Sequence, residues 1–368
     1  MARKQIDEHS LGVLEFDAVR VTLGSFAASD LGRDAAASLY PSVDLRWARM
    51  RMAETTELRA VLDRGERVPM AGLRDIRAVL KQFGKKETVF EPEQLLEIAD
   101  TLAASGRLRV FLMNLEPSES RHLCAMGEKL GEFTALVDEI GRCVGGDKRV
   151  RDSASEKLKE IRRTIGLLSE KIHQRFAEIV ASAQLRRALE NDKFLMRHGR
   201  PVVAVKANYR HALRGTVLDR SNTGATLYVE PDELVEMSNE LEDALFEEKK
   251  EVGRILWHLT KLVLDQQEAI LDSVRMLALV DLTYAKARFS VAYAMTAPEI
   301  RSDGALHLRQ ARHPLLLQWA ARQKGCEVRE LTDEVVPIDV RLGDDFDLLL
   351  VTGPNTGGKT VVLKTIGL

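Results

Sequence analysis

The sequence predicts a mainly α-helical protein: a helical core, two long lever helices with a small β-rich insert at their tip, and the first strands of a P-loop α/β domain. Three observations lead there. Apolar residues recur at helical spacing through most of the 368 residues. Between Pro201 and Pro231 the apolar period shortens to that of strands. Close to the last residue, an apolar run leads into a glycine-rich loop with a lysine. Composition agrees, because aromatic residues make up only 5% while Leu, Ala, Arg and Glu dominate, which favours helices over a β-sandwich.

Residues 1–150 are expected to form the helical core. Leu73, Ile76, Val79 and Leu80 follow i, i+3, i+4 spacing, as do Leu95, Leu96, Ile98 and Leu102. Pro69, Gly72, Pro92, Gly106 and Pro117 punctuate the segments. An outgoing lever helix is expected over 151–200. Ser153 and Glu156 have capping-box spacing, and Leu158, Ile161, Ile165, Leu168, Ile172, Phe176 and Ile179 form one stripe. With no proline before Pro201, the spacing predicts a helix of about 40 residues, about 60 Å long at ~1.5 Å per residue. The insert, 201–231, carries three short strand-like runs at Val202–Val205, Gly215–Leu218 and Ala225–Val229, with turn chemistry at Ser221–Gly224. Pro231, Asp232 and Glu233 then open a returning helix over 232–297. A coiled-coil hairpin with a decorated turn is the plainer alternative for 151–297. Residues 298–368 turn to β-type runs again at Leu306–Leu308, Val335–Val340 and Phe346–Val351.

The last of these runs opens onto Gly353, Pro354, Asn355, Thr356, Gly357, Gly358, Lys359 and Thr360, which fit G-x-x-x-x-G-K-[ST]. Glycines allow a tight turn whose N–H groups converge on phosphate, and the following helix presents its positive end. Lys359 is expected to reach the β- and γ-phosphates of ATP, and the Thr360 hydroxyl to ligate Mg²⁺. A glycine-rich structural turn is the alternative. Such sites also need an acidic strand after the loop. Leu277–Asp281 has the look of one, but it precedes the loop inside a helical stripe and is expected to be core. The chain alone is therefore not expected to hydrolyse ATP efficiently.

Net charge is −2, so the whole chain makes no electrostatic case for nucleic acid. Local charge differs: Lys193, Arg197, Arg200, Lys206, Arg210, Arg214 and Arg220 are opposed in that stretch only by Asp219, and the following residues to Glu251 are strongly acidic. This reads as a basic module on an acidic support. Cys124, Cys143 and Cys326 lie far apart and indicate neither zinc nor a disulfide framework. The chain has no apolar run long enough for a membrane span and no signal-peptide stretch, so a cytoplasmic location is expected.

Thr352–Leu368 resembles the Walker A segment of the MutS family, and its Asn355-Thr356-Gly357-Gly358-Lys359-Thr360 form resembles the MutS-two branch. Gln310–Leu316 resembles the opening of that family's ATPase domain. Gly199–Lys206 with Ser221–Pro231 resembles its clamp, and Leu14–Asp17 with Ala27–Gly32 its start. The resemblance covers essentially the whole chain. It implies a homodimeric ATPase with ATP and Mg²⁺ at the loop and a nucleic-acid clamp. Lys206, Arg210, His211, Arg214 and Arg220 would then contact phosphates of DNA or ribosomal RNA, with roles in suppressing recombination or in sensing and splitting collided ribosomes. A solvated basic surface is the alternative for those residues. A non-hydrolysing dimerisation fragment and a mismatch-repair sensor are the alternatives for the chain. The family commonly has Pro-Asn where this chain has Pro337 and Ile338, so the nucleotide-base contact there is not carried over. Full-length members continue with the rest of the ATPase domain and usually a Smr nuclease domain, so the chain is expected to be an N-terminal portion.

Overall fold

The computed structural model describes residues 7–81, 89–331, 333–354 and 358–368. Two compact units divide the chain, one built from 1–86, 97–137 and 264–368, the other from 87–96 and 138–263. The first unit holds the helices α1 (Glu8–Val13), α2 (Phe16–Gly24), α3 (Asp30–Ala37), α4 (Leu45–Asp63) and α5 (Arg77–Lys81). Most of α6 (Pro92–Met113) and all of α7 (Arg121–Glu128) also belong to it, and α8 (Thr134–Cys143) begins in it.

Short polar side chains start these helices. Asp7 caps α1 through Ser10 N at 2.7 Å, and Asp44 caps α4 through Arg46 N and Trp47 N at 2.9 and 3.1 Å. The Glu57 carboxylate does the same from another helix, accepting from His122 N and Leu123 N at the start of α7 at 2.9 and 3.0 Å. A negative group suits that position because the first-turn amides lack partners within the helix. The segment with helical spacing around Leu73 differs from expectation: residues 71–76 are turn and coil, and the helix begins only at Arg77. Leu73 and Ile76 are nevertheless buried, so the spacing there reports burial of an irregular segment.

The centre of this unit is α11 (Gln267–Ala292), whose Ile270, Val274, Leu277 and Val280 are fully buried. It packs against α3 and α4, and Leu23, Ala27 and Ala36 close around its Leu282 and Ala285. The run Leu277–Asp281 lies inside this helix, as core. Asp281 is buried, and its carboxylate accepts from Ala28 N at 2.8 Å, Ser29 N at 2.9 Å and Ser29 Oγ at 2.5 Å. That carboxylate fixes the Ala27–Gly32 turn and the entry into α3.

In the second unit, the helix expected over 151–200 begins one cap later. Ser155, not Ser153, caps α9 (Glu156–Ala181) by accepting from Leu158 N at 3.0 Å, while Asp152–Ala154 form a 3₁₀ turn. The helix has 26 residues rather than about 40. Backbone pairing ends it: after Ser182 the chain turns so that Lys206 N donates to Ala188 O and Glu190 N to Ala204 O, and Leu185 and Leu189 enter the core beneath a sheet. An absence of proline permits a helix to continue but does not require it. The returning stripe is likewise two helices, α10 (Asp232–Asp265) and α11, separated at Gln266.

The insert forms an antiparallel sheet of β1 (Leu195–Arg197), β2 (Arg200–Lys206), β3 (Gly215–Arg220) and β4 (Thr226–Pro231), in the order β1-β2-β4-β3. The three strand-like runs read from the sequence all form. Val203, Val205, Leu227 and Val229 pack with Phe176 and Ile179 of α9 and Leu234 of α10, which joins sheet and helices in one core. Gly215 opens β3 so close to β4 that a Cβ there would lie 2.1 Å from Glu230 O. Only glycine fits without moving a strand.

Ser155 also donates to Glu251 Oε1 at 2.8 Å, and the buried Glu251 carboxylate accepts from Arg254 at 2.6 and 3.0 Å. The Arg254 guanidinium, assisted by Ser155, holds this carboxyl at about 2 against the opposing effect of burial. A carboxyl depressed in the folded state stabilises the fold above its ordinary range and loses that contribution as pH falls towards about 2. Acid denaturation of this unit below about pH 4.5 should therefore weaken on Glu251→Gln, measured as the pH dependence of the urea midpoint. An unchanged pH profile would remove Glu251 from the account.

No helix among the described residues is long and apolar enough to cross a membrane.

Candidate functional site

The glycine loop ends in α13 (Lys359–Gly367), with Gly358 as its N-cap. Gly358 has φ +77° and Gly353 φ +141°, conformations that residues with a Cβ rarely adopt. A Cβ built on either would meet no atom of the described residues within 4 Å. Thr360 is exposed in the first turn of α13, where the helix's leading amides have no acceptor within the helix. The Lys359 ammonium bends back to donate to Gly353 O and bridges the two ends of the loop. A positive-φ glycine at each end, a bridging ammonium, a hydroxyl and an open helix N-terminus fit a polyphosphate with its Mg²⁺. Asn355, Thr356 and Gly357 lie outside the described residues, while Pro354 is exposed before them.

The expected strand Phe346–Val351 does not form. Those residues are irregular, with Leu348 82% and Leu350 79% exposed. A continuous apolar strand hides both faces only inside a sheet with neighbours on each side. Among the described residues, the sheet of this region is one antiparallel pair, β5 (Leu306–Ala311) with β6 (Ile338–Leu342), and neither pairs with this run. The α/β order expected for 298–368 is thus replaced by this pair, α12 (Pro314–Lys324) and α13. Ile338 is the first residue of β6, opposite Ala311.

Six of the seven cations between Lys193 and Arg220, together with His211, divide into two groups. Arg197 pairs with Asp219 at 3.2 Å and stacks over Tyr228 at 4.3 Å. Arg200 binds Glu230 at 3.1 Å and Glu242 at 2.9 Å, tying the sheet to α10. Arg210, a candidate phosphate contact, is instead half-buried and donates to Leu213 O at 2.9 Å and Gly215 O at 2.5 Å. Its guanidinium thereby bridges the segment that leads into β3. Lys206, His211, Arg214 and Arg220 are exposed, and their side chains make no hydrogen bond or ion pair among the described residues. Register brings Lys206 and Arg220 to the same end of the sheet, opposite Thr226 and Leu227 beside the Ser221–Gly224 turn. Arg214 lies just before the other end of β3.

Sequence reading missed three interacting residues in the loop's surroundings. Lys364 of α13 donates to Glu15 Oε2 at 2.6 Å, and His313 at the start of α12 is buried among neighbours that include the charges of both. No short-range signal links positions 349 residues apart.

No protein-family model matches the chain. The chain is 38% identical over 360 residues to the endonuclease MutS2 of Geobacillus sp. (strain WCH70), covering 97% of this chain and 44% of that protein. It is 39% identical over 363 residues to the MutS2 of Symbiobacterium thermophilum, covering 99% and 43%, and 31% identical over 370 residues to that of Halothermothrix orenii, covering 99% and 45%. The chain thus spans rather less than half the length of these relatives. With such identity sustained from end to end, the chain belongs to the MutS2 branch of the MutS family.

Proposed function

We propose that this chain supplies a MutS2-type protein with its Mg-ATP-binding loop and with a nucleic-acid clamp carried on two lever helices. The observation that carries this reading is the loop itself: G-x-x-x-x-G-K-T, with positive-φ glycines and the open N-terminus of α13, in a chain of this family. Gly353–Gly358 would wrap the phosphates, the Lys359 ammonium would leave Gly353 O for the β- and γ-phosphates, and Thr360 would ligate Mg²⁺. Bound Mg²⁺ would neutralise phosphate charge. Titration of the chain with a fluorescent ATP analogue and Mg²⁺ should give saturable binding. Absence of binding by the folded chain would overturn the reading.

The domain division proposed is a helical core to residue 150, levers over 151–200 and 232–297, the clamp at 201–231 and the start of the ATPase domain from 298. Lys206 and Arg220 are the phosphate contacts we favour on the clamp, with His211 and Arg214 secondary, because the first two flank one exposed turn. DNA and ribosomal RNA share this backbone chemistry. Each neutralised phosphate contributes about 0.9 to the salt slope on duplex DNA, so replacing Lys206 and Arg220 by alanine should lower the slope by about 2. A fluorescence anisotropy titration at several salt concentrations reads this, and an unchanged slope would sink the clamp assignment. Exposed Leu167 on α9 with Leu245 and Phe246 on α10 favours self-association along the levers, in keeping with a homodimer. The endonuclease activity in the relatives' name is proposed for the full-length protein, not for the loop or the insert.

A further inference from the structure

Leu14 and Glu15 join α1 to α2, and Glu15 holds a left-handed backbone conformation, φ +55° and ψ 34°, uncommon outside glycine. The turn is closed by Glu15 N donating to Gly12 O at 3.0 Å. It faces α13. The Glu15 carboxylate accepts from Lys364 Nζ at 2.6 Å, and Leu14 lies so near the end of that helix that a Cβ on Gly367 would come within 2.5 Å of Leu14 Cδ2. A second contact joins α2 to α12: the Thr22 hydroxyl, which donates to Ala18 O at 2.8 Å, shares that proton with Gln318 Oε1 at 3.1 Å. Near Glu15 and Lys364 lies His313, 4% exposed, with neither ring nitrogen hydrogen-bonded among the described residues. Burial pushes the imidazole towards its neutral form, so it adds no charge to compete with Lys364 for Glu15.

Lys364 stands five residues beyond Lys359 on one short helix, about 7.5 Å along its axis. A rigid helix transmits to its first turn whatever fixes its last. We propose that Glu15 is a positioning residue for the glycine loop: through Lys364 it sets the direction of α13, and with it the direction of the Lys359 ammonium and the leading amides. This rests on the nucleotide-binding reading and adds to it the group that aligns the site from the helical core. Nucleotide affinity should therefore depend on a carboxylate that touches no phosphate.

The test is a charge-reversal cycle on the full chain, read by titration with a fluorescent ATP analogue and Mg²⁺, with thermal denaturation of each variant. Glu15→Gln and Lys364→Gln should each weaken binding about fivefold. Glu15→Lys combined with Lys364→Glu should restore affinity to within about twofold of the parent, because the pair reforms with its charges exchanged. Lys359→Ala separates the two claims. Parental affinity in both Gln variants, alongside loss of binding in Lys359→Ala, would overturn the positioning role alone. Weakened binding that the reversed pair does not recover would also overturn it, as would a fall in melting temperature with no change in affinity. If the folded parent bound no nucleotide, both claims would fall.

Discussion

Replacing Asp281 by alanine is expected to cost the helical unit about 3 kcal/mol or more. The carboxylate is fully buried and receives two backbone amides and one hydroxyl from Ala28 and Ser29. Removing it strands those donors, and an unpaired buried donor costs on the order of 1–3 kcal/mol. It also opens a void against Gly32, whose absent Cβ is what lets the carboxylate approach: a Cβ there would lie 2.3 Å from Oδ2. Asparagine retains an acceptor but turns an N–H₂ towards the same donors, so Asp281→Asn should lose less than alanine but still be measurably destabilised. Urea denaturation followed by far-ultraviolet circular dichroism measures both. A loss below about 1 kcal/mol for Asp281→Ala would mean that this carboxylate does not organise the turn.

Lys359→Ala should lower Mg-ATP affinity by roughly 100-fold or more, since a hydrogen bond to a charged group contributes about 1.5–3 kcal/mol and the ammonium serves two phosphates. Stability should hardly change, because in the nucleotide-free loop the bond from the ammonium to the Gly353 carbonyl lies at the surface, where such bonds contribute little. The two effects are separable by pairing the titration with a melting curve. Affinity equal to the parent's would make the loop a structural turn.

Local patterns were legible wherever the chain's own neighbours decide the conformation. The stripe from Leu158 to Ile179 gives α9, and the alternating runs at Val202–Val205 and Ala225–Val229 give β2 and β4. Failures occurred where distant partners decide. Helix α9 stops at Ala181 because Ala188 and Glu190 pair with β2, which no window of sequence contains. Phe346–Val351 has strand composition, yet no described strand lies beside it. Arg210 counts as a free cation in a charge tally, but three-dimensional placement spends its donors on two backbone carbonyls. For the candidate site, the glycine loop was fully legible as a motif. Its link to Glu15 was not, because an ion pair across 349 positions leaves no periodic trace.

The central claim, that phosphates bind at the start of α13, is tested most directly by amide hydrogen exchange with and without Mg-ATP. Bound phosphates would occupy the leading amides and slow their exchange. The account predicts protection concentrated in peptides spanning 352–364, absent from the Lys359→Ala variant. Nucleotide binding that leaves exchange in 352–364 unchanged, or protects another region instead, would contradict it.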